Sequence, residues 1–249
     1  VSSYQGVQRI LRYNGRFFAL SLALAGLLLW TALARRLPDW AAPPALLLAS
    51  ATLALTASSL LVSHYVYDRS ALAGWSWLLP QLVAPPRRWA ALHAGLDEAT
   101  PALRRLFPGA AGVALDVFDA REMPEPSIAV ARRLEPRPEP AAASSPFALP
   151  LPDRSCDLVV LYFVAHELRR PDSRERFFDE LARVLSRGGT LLLVEHTRDA
   201  ANAAAFGPGA LHFLPRGEWL RLARRSRLDL KSEITITPFV RAFFLARSA

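Results

Sequence analysis

Cysteine is almost missing from these 249 residues: Cys156 stands alone, which excludes an internal disulfide and any metal cluster built from several thiolates. Nothing therefore demands an oxidising compartment, and a lone thiol at the start of an apolar run reads as a small buried hydrophobe. Lysine is nearly absent too. The formal charge of +8 rests on arginines that are scattered rather than gathered into one tract. That pattern argues against a nucleic-acid partner and suits an anionic membrane face better. Glycine is sparse, and no Gly-x-Gly-x-x-Gly turn follows the first strand, which counts against a nicotinamide cofactor. No compact ligand motif is present either, so no metal is expected, although His166, Glu167, His196 and His212 are ligand types.

What the chain does have is apolar residues, 52% of the total, concentrated before residue 84. The run from Phe17 to Ala34 is free of charge; at about 18 residues it is near the minimum for crossing the hydrocarbon core. It is bracketed by Arg16 and by Arg35 and Arg36. A second run, Ala45 to Tyr67, stops at Asp68 and Arg69. Pro38, Pro43 and Pro44 break the helix between them, predicting an antiparallel transmembrane hairpin. The first run is too long, and too soon followed by another, for a cleaved signal peptide. A buried hairpin of a soluble protein is the competing reading. Arg9, Arg12 and Arg16 on one side and Arg69, Arg87 and Arg88 on the other place both ends at the cytoplasmic face. The segment Ala71 to Val83, with Trp75 and Trp77, is expected to lie at headgroup level, and His64, Tyr65, Tyr67 and Asp68 to act as interfacial anchors, with a substrate contact as the alternative. Residues 1–84 then form the hairpin and interfacial segment, and residues 85–249 a soluble domain.

In that second part short apolar runs alternate with amphipathic helices, the pattern of a parallel sheet with crossovers. Strands are expected at 89–93, 112–117, 156–164, 190–195, 228–236 and 239–246, and helices at about 97–107, 127–134, 173–185 and 218–225. Gly188 and Gly189 read as the stop after the third of these helices. The stretch 120–146 reads mostly as loop, and 198–213 as a long loop able to cover a site.

The segment ALPLPDRSCDLVVLYFVAHEL followed by FFDELARVLSRGGTLLLVEH, Ala148 to His196, is similar to the heart of the class I S-adenosylmethionine-dependent methyltransferases, of the bacterial type-11 kind. The resemblance extends over roughly residues 87 to 247 and implies a Rossmann-like α/β fold, a mostly parallel sheet whose last strand is antiparallel. It implies S-adenosyl-L-methionine as cofactor, bound over the carboxyl ends of the first strands. The turn His93-Ala94-Gly95-Leu96-Asp97-Glu98 keeps only Gly95 of the family's glycines. Asp116, 21 residues after Gly95, takes the place of the family's ribose ligand, and Ser144 and Ser145 stand where an Asp usually meets the adenine amine. The implied cofactor contacts are His93, Gly95, Asp97, Asp116, Phe118, Ser145 and Tyr162.

Methyl transfer needs a base only when the acceptor has a proton to lose. His93, His166 and His196 follow predicted strands, and His212 sits in a Gly-Pro-Gly loop that can fold over the same edge. Imidazole titrates near neutrality, so the catalytic candidates are His166 with Glu167, His196 with Glu195, and His212. Asn202 and Phe206 are candidates on the substrate side. The expected protein is a methyltransferase anchored in the cytoplasmic membrane, its soluble domain facing the cytoplasm, acting on a small apolar or amphiphilic acceptor, lipids included. A second reading, from another class, is a membrane scaffold whose glycine-poor first turn no longer binds the cofactor.

Overall fold

In the computed structural model, which describes residues 4–135 and 142–248, the apolar N-terminal part is helical. Helix α1 (Gln5–Tyr13) bends at Asn14 into α2 (Gly15–Leu33). Pro43 and Pro44 lie in the first turn of α3 (Ala42–His64), where a missing N–H interrupts no helical hydrogen bond. Helices α2 and α3 pack side by side, yet only 17% and 11% of their most apolar windows are buried. Leu20, Leu27, Trp30, Leu33, Leu47 and Leu61 point outward. Water-exposed apolar area costs about 25 cal/mol per Å², so an apolar face of this extent calls for a cover. By length and composition both helices can cross a bilayer.

The rest of the chain builds a seven-stranded sheet: β1 (Arg88–His93), β2 (Ala111–Asp116), β3 (Ala142–Ala143), β4 (Cys156–Tyr162), β5 (Leu185–His196), β6 (Leu228–Thr237) and β7 (Val240–Arg247). The order is β3-β2-β1-β4-β5-β7-β6, and only β7 runs against its neighbours. Strand β4 is an unbroken apolar run because both its faces are covered. On one face lie α5 (Pro126–Leu134), α6 (Pro171–Val184) and α8 (Arg216–Arg225), which contribute Ile128, Phe177, Phe178, Leu181, Trp219 and Leu222 to the core. On the other lies α4 (Ala99–Leu106), together with Val66, Leu72, Trp75 and Leu78 from the connection to the hairpin.

That connection departs from the sequence expectation. Trp75 is not a headgroup anchor: it is 2% exposed and stacks between Trp77 and Tyr162, at 5.5 and 4.9 Å between ring centres. A tryptophan serves a core as readily as an interface, so its presence alone cannot separate the two. Asp68 does not anchor in the interface either; its carboxylate accepts from the N–H groups of Gly6 and Val7, at 2.6 and 3.1 Å, and so caps α1. The Gly188–Gly189 pair is not a stop between helix and strand. Helix α6 ends at Val184, β5 begins at once, and the glycines form a bulge where the β4–β5 register slips. Glycine is required there: Gly188 has φ +81, and a Cβ on Gly189 would come within 2.9 Å of the Cys156 carbonyl oxygen. The span 198–213 is not an open loop but α7 (Ala200–Phe206) and a 3-10 turn (Gly207–His212). Of the predicted loop 120–146, residues 136–141 lie outside the described residues.

Candidate active site

The chain winds outward from β1 to β3 and returns to β4 on the other side of β1, so a crevice opens at the carboxyl ends of these two strands. Here that crevice continues into a cavity of about 720 Å³ beneath the hairpin. Ala94, Leu96 and Glu98 line it after β1; Tyr162 to Val164, His166 and Glu167 after β4; and His196 at the end of β5. Helix α1 lies across it. Arg9 reaches Glu98 at 3.0 Å and Glu135, at the end of α5, at 3.1 Å, and the Tyr13 hydroxyl also meets Glu135.

Of the catalytic candidates, His166, Glu167 and His212 lie together, and His196 is close by. His166 and His212 are 5.1 Å apart between ring centres. Glu195 does not pair with His196 as expected, because successive residues of β5 point to opposite faces. It lies fully buried against His166, whose Nδ1 is 2.7 Å from its Oε2, and its other oxygen accepts from the N–H groups of Ala165 and His166. Glu167 flanks the opposite nitrogen of His166 at 3.3 Å. Burial opposes charge on His166, but Glu195 and Glu167 outweigh it and hold the pKa near 10. His166 is therefore an imidazolium at neutral pH.

His196 is neutral by contrast, held at a pKa of about 4 by burial and by the nearby His166 charge, against the pull of the Phe239 carbonyl. Its Nδ1 lies 2.8 Å from that carbonyl and must be the protonated nitrogen. Nε2 is thus an acceptor, filled by the Tyr67 hydroxyl at 2.8 Å. Tyr67, expected as an interfacial anchor, instead joins the hairpin to the crevice. His212 is also neutral, with a pKa near 3, from burial and from the His166 and Arg169 charges. Glu125 and Glu167 lie 3.4 and 3.9 Å from its two nitrogens, while the Arg169 guanidinium touches the ring and donates to Glu125 at 2.9 Å. His166, Glu167 and His212 bring possible ligand atoms within 4.8 Å of one another, but Arg169 already supplies positive charge to that space.

The candidate cofactor contacts split into groups. His93 and Asp97 are buried at the tip of β1; the His93 Nδ1 accepts from Gly95 N–H, and Asp97 caps the N–H of Thr100. Their remaining atoms, His93 Nε2 and Asp97 Oδ2, are buried without a partner, 3.9 Å apart. Burial also pushes the His93 pKa down. Asp116 ends β2, and both of its oxygens lie 2.8 Å from Arg132 of α5, whose guanidinium sits over the Phe118 ring. The Arg132 stem covers Gly95 so closely that a Cβ there would be 2.4 Å away. Tyr162 lines the cavity, whereas Ser145 is exposed in a tight turn, accepting from the Phe147 N–H.

Residues 101–193 match the model of a methyltransferase domain family, Methyltransf_11. That match spans 93 of the 249 residues, from α4 into β5. Among solved structures the chain is similar to human N-acetylserotonin methyltransferase in complex with SAM, at 14% identity and a TM-score of 0.58, over 100% of this chain and 72% of that one. It is similar to the mitomycin 7-O-methyltransferase MmcR at 16% identity and 0.55, over 100% and 74%. The PH0226 protein from Pyrococcus horikoshii OT3 follows at 13% and 0.52, over 70% and 88%. At such identities the likeness establishes the fold. No curated protein matches in sequence.

Of the expected cofactor contacts only Tyr162 lines the cavity; Arg132 stands over Gly95 and against Asp116, and it must leave Asp116 before that carboxylate can meet ribose hydroxyls. Tyr67 was open to a substrate contact from its place at the mouth of the second helix, whereas Arg9, Arg132 and Arg169 carried no local signal, since each reaches the crevice through a long-range contact. Glu125 offered only a faint signal, an acid just before Pro126.

Proposed function

We propose that this chain is a membrane-anchored methyltransferase whose hairpin holds the catalytic crevice at the cytoplasmic face of a bilayer, and that its acceptor is apolar or amphiphilic. The observation that carries this reading is the single cavity joining the turn after β1, the histidine cluster and the apolar hairpin. When bound, S-adenosylmethionine supplies an electrophilic methyl group for in-line displacement, with His93, Asp97 and Asp116 holding its polar parts. The His166 and Arg169 charges are balanced by Glu195, Glu167 and Glu125, so the site favours an acceptor that enters neutral and gives up a proton as it attacks. His212 relays the proton: its neutral ring faces the cavity, and burial with the His166 and Arg169 charges, which hold its pKa near 3, makes it pass the proton on toward Glu167 rather than keep it. Glu195 is a positioning residue that fixes the His166 ring.

The test starts with the full chain purified in detergent and titrated with S-adenosylmethionine by calorimetry; absence of binding in the wild type would overturn the enzyme reading. Radiolabelled cofactor offered with a bacterial lipid extract then reports the acceptor, and label confined to water-soluble products would refute the amphiphilic assignment. A His212→Ala variant should retain cofactor binding and lose about 10²-fold in turnover, the usual contribution of a general base. Resistance of the protein to alkaline carbonate extraction from membranes checks the anchor, and a freely soluble dimer would count against it.

A further inference from the structure

Beneath the hairpin the cavity does not close above the histidines. It continues between α2 and α3, past Ser21 and Leu24 on one side and Ser59, Thr56, Thr52 and Leu48 on the other. From Ser63 to Leu48 this wall spans about 22 Å of helix at 1.5 Å per residue. Every titratable side chain lining the cavity lies on α1, at the end of the hairpin or on the soluble domain, and none on the α2–α3 stretch. The hydroxyls of Thr52 and Thr56 are spent on the carbonyls of Leu48 and Thr52, at 2.8 Å each. Their methyl groups are left to form the wall. Gly207, before His212, sits against Leu55, where a Cβ would come within 3.0 Å. The groove and the histidine floor are thereby held in register.

We infer that this groove is a binding site for a single hydrocarbon chain, alkyl or prenyl, carried by the acceptor, whose reactive group then rests on the His166–His212 floor. The inference deepens the function proposed above and rests on it. A cavity of about 720 Å³ falls within the 300–1,000 Å³ typical of ligand sites. Its charge is confined to one end, which suits an amphiphile in one orientation only: polar head on the sheet, tail toward the membrane. The bilayer then delivers the substrate tail-first along the helices rather than through water.

The test uses the full chain in amphipol and a homologous series of 4-alkylphenols, from ethyl through butyl and octyl to dodecyl, titrated by calorimetry with S-adenosylhomocysteine present. Affinity should rise with chain length, by up to about fourfold per buried methylene. Thr56→Trp, which plugs the groove, should abolish that gain while leaving ethylphenol binding unchanged. Leu53→Trp should keep the gain, since Leu53 is 39% exposed and outside the cavity lining. Affinity independent of chain length, or an equal loss in both variants, would overturn the inference. A dodecylphenol with a terminal diazirine gives a readout that needs no variant: crosslinks should map to residues 48–59, and crosslinks confined to the outer face of the helices would refute the groove. S-adenosylhomocysteine titrated on the same samples separates the two proposals. A chain-length gain without nucleoside binding would leave the groove standing and sink the methyltransferase reading, and the reverse result would do the opposite.

Discussion

Asp116 and Arg132 form the contact in which a small energy decides a functional outcome. Their side chains are 20% and 23% exposed, and an ion pair so open to solvent is worth about 1 kcal/mol or less. Arg132→Ala should therefore tighten cofactor binding only about threefold, whereas Asp116→Ala removes charged hydrogen bonds worth about 1.5–3 kcal/mol and should weaken it tenfold or more. Calorimetry on both variants checks this, and an Arg132→Ala protein that binds less tightly would show that the arginine supports the site. The position of Asp116 was legible because strand-end acids and their spacing are local features. The arginine over it was not, since that contact depends on where α5 comes to rest. Likewise His93, His166 and His196 were visible as strand-end residues and His212 as a loop residue, and Glu167 was visible as a partner of His166, but the other partners were not. Glu195 and His196 are neighbours in sequence and point to opposite faces, so the carboxylate that seemed to belong to one imidazole charges another.

Among the elements, β4 and α6 could be read from the chain because a continuous apolar run and a helical apolar stripe are strong signals. Helix α7 was missed although its signal was present: Asp199 accepts from the Asn202 N–H as an N-cap, and an alanine-rich stretch follows. The glycines nearby drew attention to a loop instead. Strand β2 hides another constraint. Gly112 lies under the Trp89 ring, and a Cβ there would fall 1.9 Å from it. Gly112→Ala should therefore destabilise the protein by about 1–3 kcal/mol through overpacking, seen as a lower urea midpoint at unchanged slope. Wild-type stability in that variant would mean that β1 and β2 tolerate a shift.

Over the whole molecule, the histidines give stability a pH profile. His196 and His212, at about 4 and 3, lie below the ordinary value of 6.5. The stability that comes from keeping them neutral is complete above 6.5 and is lost as pH falls toward 4. His166, near 10, lies above 6.5, so its ion pairs stabilise fully below that pH and fade as pH rises through 10. Thermal midpoints should peak close to pH 6.5–7 and fall more steeply on the acid side; a His166→Gln variant should lose the alkaline decline.

Val66, Leu72, Trp75 and Leu78 have a practical consequence. These residues precede the first strand, yet they fill the face of the sheet that α4 leaves bare. Clipping the chain at residue 85 would strip that face rather than liberate a catalytic unit, and the fragment should aggregate on expression. Folding of the connection and folding of the sheet are then a single cooperative event, and a protease acting in the connection would inactivate the protein instead of releasing an active domain.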